Sequence, residues 1–188
     1  MNLSLLREWL EQRAGGLYGG EAITQQAHAL QCASLALHAQ ASEELVAAAL
    51  LHDIGHLVPG ALDTSQPHGE LAADLLGDLF GVAVTMPIRH HVAAKRYLCV
   101  ADPHYWSSLS PASQRSLAWQ GGVFTLEEAH EFIALPYAED AVNLRLWDDA
   151  AKVVGAPTES MDFFLARLEK LSFSSKHSVQ TYANRPYS

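Results

Sequence analysis

The stretch Ser42-Glu43-Glu44-Leu45-Val46-Ala47-Ala48-Ala49-Leu50-Leu51-His52-Asp53-Ile54-Gly55-His56 decides the fold. Ser42 reads as an N-cap, and Glu43 and Glu44 sit in the first turn, where carboxylates face the positive end of a helix. From Leu45 to Leu51 the segment is apolar on every side, so it has no solvent face and belongs at the centre of the molecule. It then runs straight into His52 and Asp53. Burying such a pair is costly, because an apolar core cannot replace the lost hydration, and metal coordination removes that cost. Neighbouring helical side chains diverge by about 100°. Near a helix end both can still turn into one cavity, and a carboxylate has two oxygens with which to bridge two ions. A C-terminal histidine beside a solvated aspartate is the bland alternative for the dipeptide alone.

Outward from this helix the pattern is helical throughout. Leu3, Leu5, Leu6, Trp9 and Leu10 mark a helix over 3–13, and Ile23, Ala27, Leu30, Ala33 and Leu37 mark another over 22–41, with His28 and Cys32 four apart on one face. Between them, Gly15-Gly16-Leu17-Tyr18-Gly19-Gly20-Glu21 is too rich in glycine for a stable element and reads as a mobile loop carrying Tyr18 and Glu21. After a loop at 57–67, helix resumes from His68 to Leu79. A further helix starts near Pro87 and carries Ile88, His91, Val92, Ala94 and Lys95. Short pieces follow, with a helix start at Pro111 and a stop at Gln120-Gly121-Gly122. Thr125 caps a helix through Ile133, and two more run over 138–153 and 160–171. No strand-type alternation exceeds four residues. The expectation is an all-α fold, one domain over 1–171 and a polar tail over 172–188.

The 188 residues carry 12 Lys plus Arg against 21 Asp plus Glu, a net charge of −9, with no basic run. This argues against nucleic acid or an anionic membrane surface as partner. No apolar window is long enough to span a bilayer and no leader-like start is present, so a soluble, cytoplasmic protein is expected. Cys32 and Cys99 lack metal-type spacing and read as buried free thiols. Ten histidines is a high count that needs a reason. His28, His68, His91 and Asp148 each fall on or near an otherwise apolar helical face, and together with His52-Asp53 they point to a metal cluster. His38, His90, His104, His130 and His177 read as structural or exposed.

The pattern His28…His52-Asp53…Asp148 resembles the HD-domain superfamily, whose four matching positions hold a divalent metal and most of whose members hydrolyse phosphate esters. His68 and His91 match the two further histidines of subgroups that hold a second metal. Glu21-Ala22-Ile23, Leu30-Gln31-Cys32-Ala33, Ala48 to His56, His91-Val92-Ala93-Ala94-Lys95-Arg96-Tyr97-Leu98, Gln120-Gly121-Gly122 and Leu144-Arg145-Leu146-Trp147-Asp148 resemble one branch in particular. These are the mixed-valent di-iron oxygenases that cleave 1-hydroxyphosphonates. The similarity runs from about Leu17 to Lys152, and the string around Lys95 is its most specific part.

The resemblance implies an HD-domain helical bundle around a dinuclear site. His28, His52, Asp53 and Asp148 would hold one iron, and Asp53, His68 and His91 the other, with Asp53 bridging, one ion as Fe(II), the other as Fe(III), and O2 as co-substrate. Imidazole and carboxylate ligands suit iron. Tyr18 matches a tyrosine that covers the open iron position before substrate arrives, and Glu21 a glutamate that moves with it. His56, Lys95, Ser113, Ser116 and Arg145 match phosphonate-binding positions, Ser116 replacing a threonine. The implied substrate is a small organophosphonate, 1-hydroxy-2-aminoethylphosphonate with its amine free or N-trimethylated, cleaved to glycine or glycine betaine plus phosphate. An upstream hydroxylase would supply it without a stable complex. Departures from the pattern are Trp119, where a tyrosine is usual, and a shorter loop from Leu57 to His68. Trp106, Trp119, Tyr105 or Tyr97 could offer a ring face to a quaternary ammonium. A metal-dependent phosphohydrolase and a non-catalytic HD ligand-binding domain are the competing readings; Lys95, Arg145 and the Tyr18/Glu21 loop favour the oxygenase.

Overall fold

A computed structural model of the chain describes residues 1–60 and 66–173. Its helices are α1 Leu3–Glu8, α2 Gln25–His38, α3 Glu43–Leu51, α4 His68–Leu76, α5 Val82–Ala101, α6 Tyr105–Ser108, α7 Pro111–Trp119, α8 Leu126–Ile133, α9 Ala138–Ala150 and α10 Met161–Leu171. Among the described residues there is no strand, only an isolated antiparallel bridge between Leu17 and Thr24. The all-α expectation holds.

α3 is central, as its apolar circumference requires. Ser42 Oγ accepts from Leu45 N at 3.2 Å to cap it, and every residue from Leu45 to Leu51 is buried. Each buried leucine or valine there contributes roughly 1.5–3 kcal/mol of burial energy, while Ala47, Ala48 and Ala49 keep the surface flat enough for close neighbours. α2, α5, α9 and α10 all pack on it. Cys32, Ala33 and Ala36 from α2, Ile88 from α5, Leu144 from α9 and Phe164 and Leu168 from α10 complete the main core.

Several boundaries differ from those expected. The first helix switches to a π-turn at Trp9–Arg13, where Trp9 and Leu10 turn into the core. α2 starts behind its cap, Thr24, which accepts from Ala27 N. α4 ends at Leu76 rather than Leu79, and α9 at Ala150 rather than Val153. α5 begins at Val82, five residues before Pro87, because burial of Val84 and Ile88 pulls the preceding turn into the helix. Pro87 lies just beyond the first turn, so its missing N–H costs a single hydrogen bond. Two residues of the expected tail are held in place: Ser172 is buried, and Phe173 N–H donates to Leu79 O at 3.0 Å. The remainder of that tail, and 61–65 of the loop before His68, lie outside the described residues. No helix among the described residues is long and apolar enough to cross a membrane.

Candidate active site

Six elements deliver the titratable side chains to one place. His28 comes from the buried face of α2, His91 from the middle of α5 and Asp148 from the end of α9. His52 is the C-terminal cap of α3, and Asp53 opens the 3-10 turn Ile54–Leu57 with φ −102° and ψ 9°. That break in helical geometry swings the Asp53 carboxylate beside its neighbour, with His52 Nε2 3.4 Å from Asp53 Oδ2. His68 is the first residue of α4. Its approach depends on Gly55: a Cβ there would lie 2.2 Å from His68 O, so only glycine lets the two backbones touch. Gly69 does the same for His91, whose Cε1 would be 3.0 Å from an added Cβ.

The two oxygens of Asp53 face different histidines. Oδ2 is 3.4 Å from His52 Nε2 and 3.8 Å from His28 Nε2, and Asp148 Oδ1 is 3.4 Å from that same His28 nitrogen. Oδ1 is 3.2 Å from His68 Nε2, 3.7 Å from His91 Nε2 and 3.8 Å from His56 Nε2. The Nδ1 atoms of His28, His52 and His91 lie against the carbonyls of Ala151, Ala49 and Ile88 at 2.8, 2.9 and 2.6 Å. Donation there turns each Nε2 lone pair inward, the arrangement typical of metal-binding histidines. His28 and His52 Nε2 then face each other at 3.3 Å, and His68 and His91 Nε2 at 2.9 Å. Two imidazole nitrogens so placed need a proton or a metal ion to hold them together. The donor set therefore fits two cations, one between His28, His52, Asp148 and Asp53 Oδ2 and one between His68, His91 and Asp53 Oδ1, all through nitrogen and oxygen.

The electrostatics agree with a site built for positive charge. Burial alone would raise the Asp53 carboxyl, yet the charge of His52 and hydrogen bonds from His52 and His68 hold it well below the ordinary carboxylate range. Burial opposes protonation of His52, but Asp53 raises it to about 9. His91 is pushed well down by burial and by His68 and His52. Cys32 lies close to His28 and His52, but burial drives its thiol well above its usual value, so it packs as a neutral apolar group. Cys99 is only half-buried, and both cysteines are free.

Above the cluster opens a cavity of about 430 Å³. Tyr18 forms part of its wall: the ring stacks on His28, and the hydroxyl donates to Asp148 Oδ1 at 3.2 Å. The glycine-rich segment is a loop, as expected, and contains a tight turn. Gly19 and Gly20 take φ of 51° and 89°, Glu21 N–H donates to Tyr18 O at 2.6 Å, and Tyr18 N–H donates to Ile23 O at 2.9 Å. Two successive positive φ values make a type I′ turn, which glycine pairs favour. Glu21 Oε1 accepts from Ser110 Oγ at 2.6 Å, tying the turn to the N-cap of α7.

All five expected anion-binding residues, His56, Lys95, Ser113, Ser116 and Arg145, line the cavity. Lys95 donates to Ser116 Oγ at 2.7 Å. Burial, then repulsion from Arg145, lowers its ammonium to about 8. His56 stacks on His68 with 41% of its side chain exposed. Arg145 is buried and engaged by two carboxylates: Nη1 lies 2.7 Å from Asp148 Oδ2, and the rest of the fork grips Asp149. The suggested aromatic platform for a quaternary ammonium is absent from the lining. Trp119 is 91% and Trp106 52% exposed, Tyr97 packs on Phe132, and the Tyr105 hydroxyl donates to Asp149. Sequence reasoning missed Lys152 and Ser110. The one-turn spacing from Asp148 to Lys152 was the available signal for the first, and nothing in the pattern marked the second.

Residues 26–114 match the model of the HD domain, and the chain belongs to the HD-domain family. Its relatives there narrow the branch. It is 42% identical over 167 residues to the hydroxymethylphosphonate dioxygenase of Gimesia maris, covering 85% of this chain and 83% of that one. It is 35% identical, over 86% and 85% of the two chains, to the glycine-betaine-forming [1-hydroxy-2-(trimethylamino)ethyl]phosphonate dioxygenase of Leisingera caerulea. An uncharacterized protein of Acanthamoeba polyphaga mimivirus is 33% identical over 87% of this chain and 78% of its own.

Proposed function

We propose that this protein is an O2-dependent di-iron oxygenase that breaks the carbon–phosphorus bond of a small 1-hydroxyphosphonate. The observation that carries this is the two-sided Asp53 carboxylate, with His28 and His52 at one oxygen and His68, His91 and the more exposed His56 at the other, set beneath a cavity lined by Lys95, Ser113 and Ser116. The two named dioxygenase relatives support it over phosphate-ester hydrolysis.

His28, His52, Asp53 and Asp148 are assigned to one iron, and Asp53, His68 and His91 to the other, an all-nitrogen-and-oxygen set that suits Fe(II) and Fe(III). Bound there, the irons would supply the O2-binding position and the oxidising power. Lys95, Ser116 and His56 bind and orient the phosphonate, and Tyr18 shields the cluster from water before it arrives.

Hydroxymethylphosphonate is the favoured substrate. It needs no aromatic platform, and its reaction balances with one O2 to formate, phosphate and a proton, as the C–P bond gives way to new C–O and P–O bonds. A 2-ammonio or trimethylammonio substrate, yielding glycine or glycine betaine, is the second reading. It rests on Glu21, a carboxylate on the cavity wall that is engaged by Ser110. A hydroxylase acting at the carbon beside phosphorus would supply such a substrate from the parent phosphonate. The free thiols accord with a reducing, cytoplasmic setting.

The test is metal analysis with anaerobic spectroscopy, followed by O2 uptake and phosphate release on hydroxymethylphosphonate and its 2-amino and 2-trimethylammonio homologues. About two irons per chain and equimolar O2 uptake and phosphate release are expected. Oxygen-independent phosphate release from esters with Mg or Mn as the only metal would overturn the reading.

A further inference from the structure

Arg145 looks like the natural phosphonate anchor, but four of its five N–H bonds are already engaged, which leaves one on Nη1. Nη1 serves Asp148 at 2.7 Å, Nε serves Asp149 and the Tyr105 hydroxyl at 3.0 and 3.2 Å, and Nη2 serves Asp149 and, at 3.5 Å, Ser113. A dianionic headgroup needs cationic N–H donors that remain free. An ammonium has three N–H bonds, and Lys95 spends one of them on Ser116.

A second ammonium stands next to it. Lys152 lines the same cavity, with 11% of its side chain exposed, and donates to Ser113 Oγ at 3.0 Å, while Asp149 lies farther away at 3.6 Å. Ser113 and Ser116 are one turn apart on α7, linked by donation from Ser116 Oγ to Ser113 O. The two lysines thus converge on adjacent hydroxyls facing one space.

The backbone that presents Lys152 is clamped. Gln31 on α2 donates to Val153 O at 2.8 Å and accepts from Val153 N at 3.1 Å, and Ala151 O receives His28 Nδ1–H. Residues 151–153 are therefore pinned on both sides of Lys152, which lowers the entropy lost when its ammonium is fixed on an anion.

The geometry points to Lys152 as a second phosphonate-binding ammonium, closing with Lys95 on the headgroup held at Ser113 and Ser116. This rests on the function proposed above. Arg145 meanwhile holds Asp148 and Asp149 in position and keeps one N–H for the anion.

The experiment is calorimetric titration of anaerobic, iron-loaded protein with inorganic phosphate and with hydroxymethylphosphonate, for wild type, Lys152→Gln, Lys152→Arg and Lys95→Gln, with melting temperature and iron content measured alongside. Lys152→Gln is expected to keep its iron and its unliganded melting temperature while binding both anions at least tenfold more weakly. Lys152→Arg should stay within about threefold of wild type. Wild-type affinity in Lys152→Gln, with affinity lost in Lys95→Gln, would overturn the role of Lys152 and leave the oxygenase reading standing. A wild-type protein that binds neither anion would overturn both.

Discussion

The ring of Tyr18 lies flat on the imidazole of His28, 3.8 Å between centroids and 12° between planes, while its hydroxyl reaches Asp148. One residue from the type I′ turn thus contacts a histidine and a carboxylate assigned to the same ion. Tyr18→Phe keeps the stacking and removes the hydroxyl. It is expected to retain about two irons per chain and to lose no more than about 1 kcal/mol of stability, the usual worth of one hydrogen bond. Metal analysis of protein purified without O2 checks this, and iron loss would refute a removable cover.

Gly55→Ala tests the backbone contact beneath His68. The new methyl would meet a carbonyl oxygen at 2.2 Å, and backbone cannot yield as a side chain can. A loss of roughly 1–3 kcal/mol is expected, lowering the melting temperature by several degrees. Iron content should fall toward one per chain as His68 moves away. Gly69→Ala presses mainly on the His91 ring and the Ile88 carbonyl at 3.0 Å and is expected to cost less.

Lys95 predicts a pH dependence of known sign. Its ammonium loses its proton at about 8 in the fold, against 10.5 ordinarily, because burial and Arg145 disfavour the charge. Below about 8 it is charged in both folded and unfolded chains, and the fold carries the burial cost. Between about 8 and 10.5 only the unfolded chain holds the extra proton, so this residue's contribution to stability rises with pH across that window. Denaturant titrations of wild type against Lys95→Met should show the difference narrowing there in favour of wild type. Phosphate affinity should move the other way, weakening as the pH passes about 8 and the ammonium is lost.

Gln40→Gly tests stability away from the site. Gln40 follows the C-cap of α2 at φ 57°, with Gln40 N donating to Leu37 O and Ala41 N to Ala36 O. This is a Schellman ending, whose left-handed position favours glycine. A gain of about 0.5–1 kcal/mol is expected, or about 2–4 °C in melting temperature, with iron content and turnover unchanged.

The helices and the convergence of His28, His52, Asp53, His68, His91 and Asp148 were legible because both follow from period and burial. A helix apolar all round must be central, and titratable residues on faces that pack against it must meet. Boundaries were less legible where packing overrode local signals. Pro87 looks like a helix start, yet burial of Val84 and Ile88 carries α5 back to Val82. The turn geometry at Tyr18 was not legible, because paired glycines signal looseness and tight type I′ geometry alike. The side on which Trp106 and Trp119 lie depends on how short pieces between 102 and 122 are oriented, which periodicity over so few residues does not encode.

The Ala151 carbonyl that orients His28 has a consequence for biosynthesis. His52, Asp53, His68 and His91 all leave the ribosome well before Ala151 and Asp148 are made, so the half of the site built on Asp53 Oδ1 can close on a shorter nascent chain. The other half must wait for α9 and the Gln31 clamp to join residues more than 120 positions apart. The order of synthesis therefore makes the His68 and His91 side the first whose residues are all present.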